Sequence, residues 1–380
     1  MATIKEIAKA CNVSIATVSN ILNGKPGASE ATRSLVLKTV EKMDYTPNYV
    51  AKNLKMKNTR SIGVIAEDMT IFSIPDIIDG ITEYCQEIDY QILLTNMRLF
   101  KKYNDTADGR IKIWFGLRTI FNNSDELIKG TKTLADKYNT GIHMHVLEVK
   151  EEMDYTRATR GETTVEHMNR LGALGPNLVA AHTVWLTERE IDLFRLYDVK
   201  VSHNPGAAMK VVLGFAKIPE MLEKGIAVSI GTDGAPSNNR MDMMRDMYLT
   251  SLIHKGRTLN PKTVSAEQVL EMATINGARC ALMEKEIGSL EVGKKADLII
   301  LNPDTIHSLP VIDPVANIVY AMSSENVESN MCNGKWLMKN REILFLDEKD
   351  LLEKVKIQNK KVMDKAGIVI PDRFPVIEIK

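Results

Sequence analysis

No histidine occurs in residues 1–142, although the chain of 380 residues holds seven. A histidine-ligated metal centre in the first third of the chain is thereby excluded. Cysteine is also sparse. Cys11, Cys85, Cys280 and Cys332 lie far apart and form no CxxC pair, which indicates neither a disulfide framework nor a thiolate zinc site. No run approaches the roughly 18 apolar residues of a membrane-spanning helix. The polar, amphipathic start MATIKEIAKACNV lacks the apolar segment of a secretory signal. A cytoplasmic protein without a membrane partner is expected. Net charge is absent too, since 49 Lys+Arg balance 49 Asp+Glu. The balance is local rather than uniform, because residues 1–60 carry ten Lys/Arg against four Asp/Glu. A basic end on a neutral chain is a cue for nucleic-acid or membrane contact by that end. What is present is bulk: 44% hydrophobic residues in this length suit two or three domains with substantial cores.

The basic end carries a pattern. IKEIAKACNVSIATVSNILN reads as two short helices with a tight turn near Cys11–Val13. Ile4, Ile7 and Ala8 form one apolar stripe, Val13, Val18 and Ile21 another, and Ser14 suits the cap of the second helix. A third helix fits Ser29–Met43, with Val36, Leu37 and Val40 inward. By pattern alone, three short helices also suit a small bundle with no nucleic-acid role. YTPNYVAKNLKMKNTRSIGVI then supplies a Pro-started helix with Asn48, Ala51 and Leu54 on one face, a basic linker and a strand.

Through VSIATVSNILNG, DYTPNYVAKNL and TRSIGVIAEDM, roughly residues 2–105 resemble the lac repressor family of bacterial regulators. The resemblance implies a helix-turn-helix DNA-binding domain with a hinge helix over residues 1–58 and a double-stranded operator as partner. It makes Ser14–Leu22 the recognition helix, with Ser14 at its start. Ile15, Ala16 and Asn20 would face base edges, Thr17 and Ser19 phosphates. Leu54 would be the minor-groove wedge, beside Asn48 and Ala51. Lys52, Lys55, Lys57 and Arg60 would add the salt-sensitive phosphate contacts. Residues 59–105 would be a fragment of a periplasmic-binding-like effector domain, too short for a complete effector pocket.

From about Thr106 the pattern changes. Apolar strands RIKIWFGL, GIHMHVLE, NLVAAHTV, VKVSHNP and IAVSIGTDG alternate with amphipathic segments such as DELIKGTKTLADKY and TEREIDLFRLYD. This is βα repetition with a parallel sheet. Polar residues sit at successive strand ends: Arg118, His145 with Glu148, His182, His203 with Asn204, and Asp233. His143 and His145 share one strand face at period two. Singly, each such residue is more often structural. Five in succession suit one aqueous metal site on the catalytic face of a TIM barrel.

IHMHVLE, AAHTVWL, VSHNP, GTDGAPSNN and MATINGARCALMEKEIGSLEVGKKADLIILN resemble the amidohydrolase superfamily over about residues 107–345. The branch is that of the chlorohydrolases and nucleoside deaminases, among them S-adenosylhomocysteine, methylthioadenosine and guanine deaminases. There, one divalent ion, zinc or iron, sits on four protein ligands and activates a water. The water attacks an sp² ring carbon of a small nitrogen heterocycle, of purine or triazine type, and displaces ammonia. By this resemblance His145 and Asp233 are metal ligands, and Asp233 is also the general base. Glu148 shuttles protons, and His182 meets the activated water or the substrate. Arg118, Asn204 and Asn238 line the substrate mouth, Arg118 standing where many relatives carry histidine. The first-strand His-x-His pair of the family has no counterpart here, and His143 is the one nearby candidate to replace it.

The expected fold is therefore α/β. It is an incomplete metal-dependent-hydrolase TIM barrel with remnant β-sandwich strands over 106–345, preceded by the all-α domain and the short α/β fragment. Residues 346–380 form a charged helical tail. A homo-oligomer is expected if the chain folds. Three readings stand open: an aminohydrolase impaired by its lost ligands and fused to an operator-binding domain, a DNA-binding regulator with a replaced effector domain, and a join of unrelated reading frames without joint function.

Overall fold

Apolar residues three and four apart build three N-terminal helices, α1 (Ile4–Ala10), α2 (Ile15–Leu22) and α3 (Glu30–Lys42). Ser14 caps α2, its Oγ accepting from the Thr17 N–H at 3.0 Å. Ile7, Ala8, Cys11, Val18, Ile21 and Val36 form one small core, and Val13, Val40 and Met43 pack against it. Leu37, expected inward, is 47% exposed. On a helix it lies one step around from Val36, off the arc that Val36, Val40 and Met43 share. The computed structural model describes residues 4–22, 28–43 and 95–369. The hinge residues Asn48, Ala51 and Leu54, and the effector-fragment elements before residue 95, lie outside the described residues. The chain divides into two compact units, Met1–Leu94 and Thr95–Lys380.

The second unit begins with α4 (Thr95–Tyr103). It is organised by five parallel strands in sequential order, β1 (Phe115–Leu117), β2 (Ile142–Val146), β3 (Leu178–His182), β4 (Lys200–His203) and β5 (Val228–Ile230). Strand β1 is shorter than RIKIWFGL suggests. The preceding backbone bonds elsewhere: the Ile113 N–H donates to Asn104 Oδ1 at 2.9 Å, and the Ile113 carbonyl accepts from Thr140 Oγ1 at 2.7 Å. Helices join the strands: α5 (Asp125–Lys137), α6 (Lys150–Arg160), α7 (Thr164–Arg170), α8 (Glu188–Leu196), α9 (Pro205–Lys210) and α10 (Ile218–Glu223). After β5 come α11 (Met243–Thr258), α12 (Ala266–Ala273) and α13 (Ile275–Cys280). Side-chain caps start several of them, with capping boxes Thr187/Glu190 on α8 and Ser265/Gln268 on α12. This is an α/β fold.

Strand β2 shows how period two serves the site. Ile142, Met144 and Val146 are buried in the core that the helices complete, while His143 and His145 take the opposite face. Parallel register then sets His145, Ala181, Ser202 and Ser229 side by side on four strands.

A second, antiparallel sheet follows: β6 (Leu298–Leu301), β7 (Val327–Cys332), β8 (Lys335–Lys339) and β9 (Glu342–Ile343), with α14 (Pro314–Tyr320) between β6 and β7. The tail forms α15 (Glu348–Ala366), none of whose residues is buried. Among the described residues, no helix is long and apolar enough to cross a membrane.

Candidate active site

Four residues at or just past the C-terminal strand ends have left-handed backbone: Leu147 (φ 51°), His182 (φ 69°), Thr183 (φ 54°) and Asp233 (φ 62°). None is glycine, so each conformation costs energy and persists because neighbouring bonds hold it. The turns after β2 and β3 are laced together. The Thr183 N–H donates to the Val146 carbonyl at 3.1 Å, and the Trp185 N–H to the Leu147 carbonyl at 3.1 Å.

Those turns bring three side chains together. His145, Glu148 and His182 each offer one atom able to bind a metal, all within 4.8 Å of one another, and this is the one such group among the described residues. The His145 and His182 rings stack at 5.1 Å, and His182 Nε2 lies 3.8 Å from Glu148 Oε1. His145 Nδ1 lies 3.1 Å from the Arg118 carbonyl. A carbonyl only accepts, so Nδ1 carries the proton and the Nε2 lone pair is left for a ligand. His182 is 2% exposed and its Nδ1 is buried without a hydrogen-bond partner.

The electrostatics suit metal ligation. Burial, reinforced by the His182 charge, pushes His145 down to about 4. Burial pushes His182 to about 4 as well, against the pull of Asp233. Both imidazoles are neutral at pH 7, the form that binds a metal. Burial raises the Glu148 carboxyl, and Asp233 adds to the rise while His145 and Arg118 oppose it. Burial also lowers His143, with Asp233 opposing.

The other expected residues take different places. Asp233 is not in the compact group; its Oδ1 accepts from the Gly234 N–H at 2.5 Å, although its charge is felt by His143, Glu148 and His182. Asn204 is 7% exposed; with its amide turned to match its neighbours, it donates to the Ser202 carbonyl at 2.7 Å and accepts from the Asp233 N–H at 3.3 Å. Asn238 is buried, donating to the Thr232 carbonyl at 2.8 Å and Asp246 Oδ2 at 3.0 Å while accepting from Arg245 at 3.0 Å. Both asparagines thus brace the loop that carries Asp233. His203 turns away from the row of His145 and Ser202, by the same period-two rule, and meets His254 of α11, Nε2 to Nε2 at 3.2 Å. Sequence reasoning missed His254, Asp246 and Arg245. Buried Met247, Thr250 and Ser251 on α11 mark the face that also carries Asp246 and His254, and that spacing was the available signal.

In the N-terminal unit, Ile15 is 45% exposed, Asn20 is exposed, and Thr17 Oγ1 bonds Ser14 Oγ at 2.8 Å. Ala16 and Ser19 lie on α2, but their side chains fall outside the described ones.

Residues 27–337 match the Amidohydrolase family. The chain belongs to the amidohydrolase family. Residues 3–48 match the bacterial regulatory proteins of the lacI family, so the two matches overlap over 27–48, and the amidohydrolase match begins well before the change of pattern near Thr106. Such a chimera joins two family signatures in one polypeptide. The 5'-deoxyadenosine deaminase of Methanobrevibacter smithii is 41% identical over 262 residues, which are 69% of this chain and 60% of that protein. The 5-methylthioadenosine/S-adenosylhomocysteine deaminase of Syntrophomonas wolfei is 40% identical over 72% of this chain and 64% of its own length. This amidohydrolase therefore spans less than two thirds of those relatives. In fold it resembles a zinc-bound adenosine deaminase from Xanthomonas campestris, with a TM-score of 0.69 and 22% identity over 83% of this chain and 74% of that one. It also resembles a zinc-complexed atrazine chlorohydrolase from Arthrobacter aurescens, with a TM-score of 0.66 and 22% identity over 74% of this chain and 68% of that one.

Proposed function

We propose that the amidohydrolase domain is built for hydrolytic deamination of an amino-substituted purine-type ring. The carrying observation is the convergence of His145, Glu148 and His182 at adjacent strand ends, with Asp233 within electrostatic reach. The deaminase names of the relatives support a nucleoside substrate, and an aminotriazine is the alternative ring.

A divalent ion fits the donor set. Two neutral imidazoles with nearby carboxylates suit zinc or iron, and the partnerless His182 Nδ1 leaves a buried polar atom to be satisfied. His145 Nε2 and the Asp233 carboxylate would hold the ion, which when bound makes a water nucleophilic near neutral pH. The chain's own groups do the rest. Glu148, its carboxyl raised by burial, would give a proton to the ring nitrogen, take one from the attacking water and pass that one to the leaving amine. His182, neutral beside it, orients the attacking water or the ring. Arg118 sets the His145 tautomer through its carbonyl and would line a substrate mouth that Asn204 and Asn238 shape from behind by bracing the Asp233 loop.

The barrel is incomplete in this reading, as five parallel strands are described where a TIM barrel has eight. With no histidine before His143 to complete the ion's ligands, turnover is impaired relative to the family. Residues 1–58 form a helix-turn-helix domain that binds operator DNA in a homo-oligomer, with Ser14, Ile15, Ala16, Thr17, Ser19 and Asn20 facing DNA. The second reading, a regulator with a replaced effector domain, is favoured by the lacI match alone.

The test is ammonia release from 5'-deoxyadenosine, 5-methylthioadenosine and an aminotriazine by the zinc-loaded chain, with bound metal counted separately. Glu148→Gln is expected to abolish turnover and spare metal, while Asp233→Asn damages both. Metal loss in Glu148→Gln with full activity in Asp233→Asn would reverse the assigned roles.

A further inference from the structure

The turn that carries Glu148 is held by a side chain that the proposed chemistry does not use. Glu152, in the first turn of α6, is completely buried. Its Oε1 accepts from the Leu147 N–H, the amide just before Glu148, at 2.9 Å. Leu147 is the residue forced into the left-handed region, and its carbonyl is already taken by Trp185. A leucine in that conformation needs bonds on both sides of its peptide to stay there. Trp185 provides one and Glu152 the other.

We propose that Glu152 is a positioning residue whose carboxyl group clamps the Leu147–Glu148 turn and thereby aims Glu148 at His182 and His145. This rests on Glu148 being the proton carrier proposed above. Glu152 is fixed from behind: Thr156 Oγ1 donates to its carbonyl at 2.8 Å and bonds Thr164 Oγ1 of α7 at 3.0 Å. Its Oε2 is buried without a partner. A charged carboxylate would leave that oxygen uncompensated, so the neutral acid is the form this cavity accepts. A neutral carboxyl group still presents a carbonyl-type oxygen to the Leu147 N–H, and so would an amide.

Backbone amide hydrogen exchange on the full chain separates this role from the chemistry. Glu152→Leu should speed exchange at Leu147 about tenfold, the loss of roughly one net hydrogen bond, and leave Thr183 and Trp185 protected. Glu152→Gln, which keeps an acceptor, should match the wild type. On any substrate the wild type deaminates, Glu152→Leu should lower kcat with KM unchanged and Glu152→Gln should restore it. Unchanged exchange at Leu147 in Glu152→Leu overturns the proposal. So does uniform loss of protection throughout the domain, which would mark a role in the fold as a whole. A wild type without turnover would accord with the missing metal ligands, and the exchange pattern alone would then decide the role of Glu152.

Discussion

Glu152 also carries a consequence for pH. Burial pushes its carboxyl group up to about 8 from an ordinary 4.5. The folded chain then keeps a proton that the unfolded chain releases. The stability it contributes is complete below about 4.5 and is lost as pH rises toward about 8. Glu152→Gln has no such proton to lose. Its Tm advantage over the wild type is expected to grow across that window and to vanish at the acid end. Thermal scans at several pH values check this, and a difference that does not vary with pH refutes it. The shared face of His143 and His145, with Glu148 just past the strand end, was legible from spacing alone. Glu152 was not, because a glutamate in the first turn of a helix reads as solvent-exposed until packing closes over it.

The elements matter through the loop after β5. Gly206 opens α9 where a Cβ would lie 2.5 Å from Asp246 Oδ1 and 2.7 Å from Asn238 Nδ2. Burial raises Asp246 to about 6, with Asn238 and Arg245 pulling the other way. Those groups brace Thr232 and hence Asp233. Gly206→Ala is expected to destabilise the domain by about 1–3 kcal/mol, the usual cost of overpacking, and to weaken metal binding through Asp233. Denaturant melts and zinc titration measure the two effects, and an unchanged zinc affinity would separate the brace from the ligand. At this scale the βα alternation, the capped helices and the strand ends could be read in the sequence. The length of β1 and the pairing of His203 with His254 could not, because both depend on which partner each backbone and side chain finds.

At the scale of the whole molecule, two family signatures share one chain, and each has its own test. Residues 1–60, fused to a dimeric scaffold, should select palindromic operators, with affinity falling steeply as salt rises. As a monomer the segment is expected to bind only non-specifically, at about 10⁻⁴–10⁻⁶ M. Failure to enrich any palindrome would remove the operator reading and leave the amidohydrolase reading intact.

Period two in IHMHV determined by itself that His143 and His145 share a face, and period 3.6 determined which faces of α1 and α2 turn inward. Histidine content determined that no histidine ligand precedes residue 143. These are local or counting properties, and no distant contact can alter them. Only the tertiary structure decided that His145, Glu148 and His182 close into one group while Asp233 sits beside it. It alone set Asn204 and Asn238 to bracing and placed a buried carboxyl group behind Glu148. Each of those outcomes depends on residues far apart in the chain meeting across strand register and left-handed turns. Sequence spacing does not encode such a meeting.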